Sequence, residues 1–262
     1  MRIFHLTYTS VGGLPFFTSE AAYREAVHRL AKLKHAIALF CLVAEHLHQV
    51  AVTNGEPGSA VSKATKRALG SVVETPFGED TDIRTVEDRH YVANLLRYDL
   101  VQPLKHRQGH PALWEGSCFQ DLIGARRVRG MRLCIEMIIP TFNVLDACGH
   151  VNLPRNEIQP ASAEQLLAAG LPRLVSAAAT AFAAKPTLEG NGFPEVEARC
   201  AVAKLGRWIG LHDTEITPVI GVTERGLRNL RRRSMEREAL DAVRMRIALE
   251  DAVLATTKST KR

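Results

Sequence analysis

Residues 36–53 read "AIALFCLVAEHLHQVAVT". The runs "AIALFCLVA" and "HLHQVAVT" are two strands with so few residues between them that a tight antiparallel hairpin is the natural reading. Strand side chains alternate between faces, so His46 and His48 point the same way while Leu47 turns into the core. Imidazoles at that spacing can share one divalent ion, although two ligands make a weak site and a third nitrogen or oxygen donor must come from elsewhere in the chain. The plainer alternative is a pair of half-exposed histidines on the open face of a sheet.

Working outward, "IFHLTYTS" (3–10) alternates as a strand and is broken by "VGG". "SEAAYREAVHRLAKLKH" (19–35) sets Ala22, Ala26, Leu30 and Leu33 on one helical face, with Ser19 as N-cap. Strand, helix, strand, strand is half of a split βαβ sandwich. Residues 54–82 carry a short helical piece near Ala60 to Leu69 among glycine, proline and acidic breakers, and read as an irregular excursion over the sheet. "TVEDRHYVANLLRYDLV" (85–101) has helical spacing in Val86, Val92, Leu95, Leu96 and Leu100, with a variant capping box from Thr85 to Asp88. "MRLCIEMIIPTF" (131–142) reads as a further strand, apolar at Met131, Leu133, Ile135 and Met137. The proline-bearing "NLPRNEIQPAS" (152–162) is the expected linker to a helical half, and the tail "TTKSTKR" (256–262) is expected to be disordered.

The expected fold class is therefore α+β: a ferredoxin/RRM-like antiparallel sheet with helices over residues 1–150, then an all-α helix-turn-helix domain over 151–262. With 262 residues and 46% hydrophobic content, the chain can bury two such cores. The 34 Lys plus Arg against 28 Asp plus Glu suit a phosphate-bearing partner. Five scattered cysteines form no CxxC pair, which argues against a zinc knuckle or a disulfide framework. Neither a signal-peptide pattern nor a membrane-length apolar run is visible, so a cytoplasmic protein without a membrane partner is expected. No glycine-rich phosphate loop or nucleophile elbow supports a small-molecule enzyme.

The segments "FHLTYTSVGGLPFF" (4–17) and "LVAEHLHQVAV" (42–52) resemble the amino-terminal part of the single-tyrosine HUH transposases, which include the REP-associated tyrosine transposases. Glu45 stands where that family usually has asparagine. The resemblance implies that His46, His48 and a third polar residue hold Mg²⁺ or Mn²⁺ against a scissile phosphate of single-stranded or hairpin DNA. A helical tyrosine then attacks phosphorus, leaving a 5′-phosphotyrosine and a free 3′-hydroxyl. Family members act as dimers or monomers, so a homodimer is open.

The family's "YxxxN" helix has its counterpart in "HYVANLLRYDLV" (90–101), followed by "HPALWEGS" (110–117). Aligned without a gap, Asn94, Leu100 and Val101 coincide, His90 falls on the tyrosine position and Tyr91 sits one place later. In one reading Tyr91 is the nucleophile and Asn94, three residues on and on the same helical face, is a metal ligand. In the other, His90 and Asn94 face the site, Tyr91 points about 100° away, and strand transfer is lost. Tyr98 shares a face with Tyr91 and is expected to pack. The rival to an active transposase is a catalytically inactive descendant that binds DNA sequence-specifically or regulates.

In the carboxy-terminal half, "VEARCAVAKLGRWI", "DTEITPVI", a turn at Gly221 and "TERGLRNLRRR" with Thr223 as N-cap have the form of a helix-turn-helix. Leu227 and Leu230 are expected to face the core, with Arg225, Arg228, Arg231 and Arg232 outward as candidate contacts to duplex DNA.

Overall fold

The structure, a computed structural model, describes residues 1–154 and 158–259. The chain divides into two compact units, Met1–Leu122 with Arg129–Asn156, and Ile123–Val128 with Glu157–Arg262.

The first unit runs β1 (Arg2–Ser10), α1 (Glu20–Leu30), β2 (Ala36–Leu42), β3 (His46–Thr53), α2 (Gly58–Leu69), β4 (Phe77–Thr85). The strands form one antiparallel sheet in the order β2-β3-β1-β4. This is the complete βαββαβ split sandwich, the α+β class expected from the sequence. Residues 54–82, expected to be irregular, supply its second half. β4, "FGEDTDIRT", is an edge strand whose side chains are mostly exposed, so it lacks the apolar alternation that marks a half-buried strand.

Ser19 caps α1 by accepting from the Ala22 N–H. Register fixes the two faces of the sheet. Thr7 lies opposite His48, and His48 opposite Cys41, so His5, Thr7, His46 and His48 share one face. Phe4, Leu6, Tyr8, Leu47 and Gln49 share the other, which α2 covers: the Thr65 hydroxyl donates to Gln49, and Gly58 lies so close to Phe4 and Ile83 that a Cβ there would clash.

α3 (Arg89–Leu100) covers the histidine face and leads into α4 (Gln102–Lys105). Asp88, not Thr85, caps it, accepting from the His90 N–H, because Thr85 is still the last residue of β4. The "HPALWEGS" segment lies along β2, with the Trp114 indole donating to the Leu42 carbonyl and Leu42 N–H to Gly116. α5 (Phe119–Leu122), α6 (Ile135–Ile138) and α7 (Val144–His150) complete the unit. Residues 131–142 are not the expected strand. One bridge, Ile37 to Leu133, precedes a single helical turn in which Ile135 and Ile138 are buried and Met137 is 58% exposed. Burial at i and i+3 is the helical phase, and it outweighs the alternation.

The second unit contains α8 (Ala163–Ala181), α9 (Phe193–Trp208), α10 (Asp213–Val219), α11 (Glu224–Arg232) and α12 (Arg237–Ser259). Ser162 and Gln165 form a capping box on α8. Small residues, among them Ala177, Ala178, Ala181, Ala198 and Ala201, fill the core with Leu174, Leu205, Val243 and Ile247. The expected disordered tail is helical from Thr256 to Ser259, and its last three residues lie outside the described ones, as do 155–157 of the expected linker.

Candidate metal centre and tyrosine site

β1 and β3 carry the centre's floor. His5 Nε2 is 3.3 Å from His48 Nδ1, and the two rings stack with centroids 5.6 Å apart. Thr7 Oγ1 lies 3.3 Å from His48 Nδ1 and 3.5 Å from His5 Nε2. α3 supplies the roof. The Tyr91 hydroxyl is 3.0 Å from His5 Nδ1, and the Tyr98 ring meets His48 edge-on at 5.3 Å. Asp99, fully buried, completes a trio in which His5, His48 and Asp99 offer ligand atoms all within 4.8 Å of one another.

Burial sets the charge states. It lowers His48 to about 3, helped by the neighbouring His46, His5, His106 and Lys105, and lowers His5 to about 4, helped by Arg84. Both imidazoles are therefore neutral at pH 7, the form that ligates metals. Burial also raises the Asp99 carboxyl to about 8, against the opposing effect of Lys105. His48 Nε2 and both Asp99 oxygens are buried without a hydrogen-bond partner. Each such atom costs about 1–3 kcal/mol, and a divalent cation is a partner that satisfies imidazole nitrogen and carboxylate oxygen together. This donor set fits such an ion, and the imidazoles favour Mn²⁺ over Mg²⁺, which prefers oxygen.

A second trio, Glu45, His46 and His106, shares no residue with the first. Glu45 sits in the β2–β3 turn and His106 just past the end of α4. Glu45 Oε1 is 2.6 Å from His106 Nδ1 and 3.9 Å from His46 Nδ1.

The candidates from the sequence distribute as follows. His46 and His48 share a face, ring centroids 4.9 Å apart. Tyr91 is turned to the histidines, and His90, the residue before it, is exposed. Asn94 is exposed and, among the described residues, makes no hydrogen bond to the group. Helix geometry explains the split: Tyr91, Leu95 and Tyr98 follow one line of α3 at i, i+4 and i+7, with Asn94 to one side and Asp99 to the other. The sequence reading missed His5, Asp99 and His106. His5 had a signal, since it shares the polar phase of β1 with Thr7.

In the second unit Thr223 caps α11, accepting from the Gly226 N–H, and Gly221 holds φ +65° in the turn before it. Arg225, Arg228 and Arg232 are exposed. Arg231 departs from the expected outward set: it pairs with Asp213 at 2.6 Å and donates from Nε to the Ala203 carbonyl, binding α11 to α10 and α9. Pro218 falls in the last turn of α10, where α10 ends one residue later.

No protein-family model and no curated protein matches the chain. Among solved structures it is similar, over 55% of its length and 87% of the other chain, to a REP-associated tyrosine transposase bound to a REP hairpin, at 13% identity and TM-score 0.40. Among the described residues no helix is long and apolar enough to cross a membrane.

Proposed function

We propose that the first unit cleaves and rejoins single-stranded DNA at hairpin or repeat ends, with Tyr91 as nucleophile and a divalent ion, Mn²⁺ or Mg²⁺, held by His5, His48 and Asp99. The carrying observation is the 3.0 Å contact between the Tyr91 hydroxyl and His5, whose other nitrogen meets His48 at 3.3 Å. An ion there would polarise a phosphoryl oxygen and offset the phosphate's charge. A histidine that ligates through one nitrogen keeps its proton on the other, so His5 would donate from Nδ1 to the Tyr91 oxygen and hold the phenol in place. The Tyr91 oxygen bonds to phosphorus and gives its proton to water, the bond from phosphorus to the 3′-oxygen breaks, and the leaving oxygen takes a proton from water to become the free 3′-hydroxyl. Attack of a 3′-hydroxyl on the phosphotyrosine reverses the step and rejoins the strand. Arg84, exposed on β4 and acting on both Tyr91 and His5, would attract the phosphate. Asp99 replaces Asn94 as the ligand from α3 in this reading.

The second unit would read duplex DNA through α10 and α11 as a helix-turn-helix, with Arg225, Arg228 and Arg232 at the phosphates and base edges and Arg231 holding the helices together. The exposed position of Asn94 favours one other reading, a DNA-binding protein without strand transfer.

Incubation with end-labelled hairpin DNA and Mn²⁺ tests the proposal. A denaturation-resistant protein–DNA adduct, absent in Tyr91→Phe and in His48→Ala, is expected. A band shift on native gels without any adduct would establish the non-catalytic reading instead.

A further inference from the structure

The sequence predicts a packing role for Tyr98, and the structure leaves the residue out of the core. It is 42% exposed, although it lies on the same line of α3 as Tyr91 and the buried Leu95. We propose that Tyr98 is a stacking platform for a base of the single strand next to the scissile phosphate, with Lys105 holding a neighbouring phosphate. The inference rests on the reading of the first unit as one that handles single-stranded DNA, and it adds a subsite beside Tyr91.

Placement is the first support. The Tyr98 ring meets His48 at 87°, centroids 5.3 Å apart, so it stands at the border of the buried centre. Seven residues of helix separate it from Tyr91, about 10 Å along the axis. A strand whose phosphate reaches the Tyr91 hydroxyl can therefore lay an adjoining base on Tyr98. The buried Gln102 amide donates to the Tyr98 carbonyl at 3.3 Å, which fixes the end of α3 where α4 begins. A tyrosine on a fixed helix has only two side-chain torsions to order when a base arrives, so stacking there costs little entropy.

Charge is the second. The Lys105 ammonium lies over the Tyr98 ring, 4.1 Å from its centroid. Its charge also bears on His48 and Asp99, so the same cation is near the buried centre. Arg97 on α3 and Arg107 just past α4 are exposed as well. An aromatic that only packs has no need of that company, whereas a strand with a charge on every phosphate does. An ammonium on a flexible stem is a loose cover for a ring. Cation–π contacts at exposed sites are weaker than base stacking, so an incoming nucleotide exchanges them: its base takes the ring and its phosphate takes the ammonium. Every base has a π-face, which makes the platform tolerant of sequence.

The test uses metal-free full-length protein and a short oligothymidylate bearing one 5-iodouracil, which near-ultraviolet light cross-links to aromatic rings stacked against it. Affinity is read in parallel by fluorescence anisotropy. Trypsin cuts after Arg97 and Lys105, so the peptide 98–105 separates Tyr98 from Tyr91 in mass spectrometry. A cross-link in that peptide is expected, lost in Tyr98→Leu together with roughly tenfold in affinity. Tyr98→Phe keeps both, because the ring and not the hydroxyl acts. Lys105→Gln lowers the slope of log affinity against log salt by about 0.7. Cross-links that all fall outside 98–105, a Tyr98→Leu protein that binds as tightly as wild type, or a Tyr98→Phe protein as weak as Tyr98→Leu would overturn the platform; an unchanged slope in Lys105→Gln would overturn the phosphate contact. Far-UV circular dichroism checks the fold, and the wild-type cross-link decides the matter should Tyr98→Leu misfold. None of these readings needs Mn²⁺ or a bond to Tyr91. Absence of the phosphotyrosine adduct with the Tyr98 cross-link intact would count against Tyr91 chemistry and leave this subsite standing.

Discussion

The two faces of the β2-β3-β1-β4 sheet carry similar side chains in opposite states. Beneath α2, the Tyr8 hydroxyl and the Thr65 hydroxyl both donate to Gln49 Oε1, and Gln49 Nε2 meets His35 at 3.0 Å. Beneath α3, a tyrosine, two histidines and a threonine again cluster, but His48 Nε2 and the Asp99 carboxylate are left without partners. The Tyr8 phenol is pushed well up by burial, and it has no opening to a substrate. A polar cluster that satisfies itself specifies a fold; one that leaves ligand atoms over is prepared for something absent from the chain.

The sharpest way to break this contrast is to remove each phenol oxygen. Tyr91→Phe is expected to reduce adduct formation by roughly a thousandfold or more, read by gel quantification, with little change in Tm. Tyr8→Phe should leave adduct formation intact and cost about 1 kcal/mol of stability. Equal losses of activity in the two variants would erase the distinction.

Next in size, Gln49→Ala leaves Tyr8, Thr65 and His35 short of a shared partner and is expected to lower stability by about 1–3 kcal/mol in urea denaturation. Metal binding should survive in that variant.

A third test uses pH. Burial holds Asp99 at about 8 in the fold, against 3.8 for a free aspartate, so the unfolded chain ionises first. Its contribution is fully present below pH 3.8 and is lost as pH rises through 8. His5 and His48, depressed to about 4 and 3, act in the opposite sense: their contribution is present above 6.5 and lost as pH falls through those values. Metal-free Asp99→Asn should therefore gain Tm over wild type between pH 5 and 8, and scanning calorimetry across that range would show parallel curves if the assignment is wrong.

The smallest effects belong to α11. Arg225→Ala or Arg228→Ala should each reduce the slope of log affinity for duplex DNA against log salt by about 0.9, measured by fluorescence anisotropy. An unchanged slope would remove these arginines from the interface.

Much of this was legible in the chain, and the failures have physical causes. The hairpin at 36–53 declared itself because apolar content and a two-face alternation coincide there. β4 did not, since an exposed edge strand needs no apolar phase, and its pairing with β1 is a long-range contact that local sequence does not encode. His46 and His48 were visible as a spacing, yet their separation into two trios depends on which residues α3 and α4 bring down on the sheet. Asp99 reads as one acid in a helix beside Leu96 and Leu100, and only the placement of α3 over β1 and β3 turns it toward His48. Tyr91 over His90 was a matter of helix rotation, about 100° per residue, which an alignment to a motif cannot fix.

The account stands or falls on which side chain carries the DNA. Protease digestion of the Mn²⁺-dependent adduct, followed by mass spectrometry of the nucleotide-linked peptide, locates the bond directly. A 5′-phosphodiester on Tyr91 is the expected result; linkage to His90 or Tyr98, or an adduct of undiminished yield in Tyr91→Phe, would contradict it.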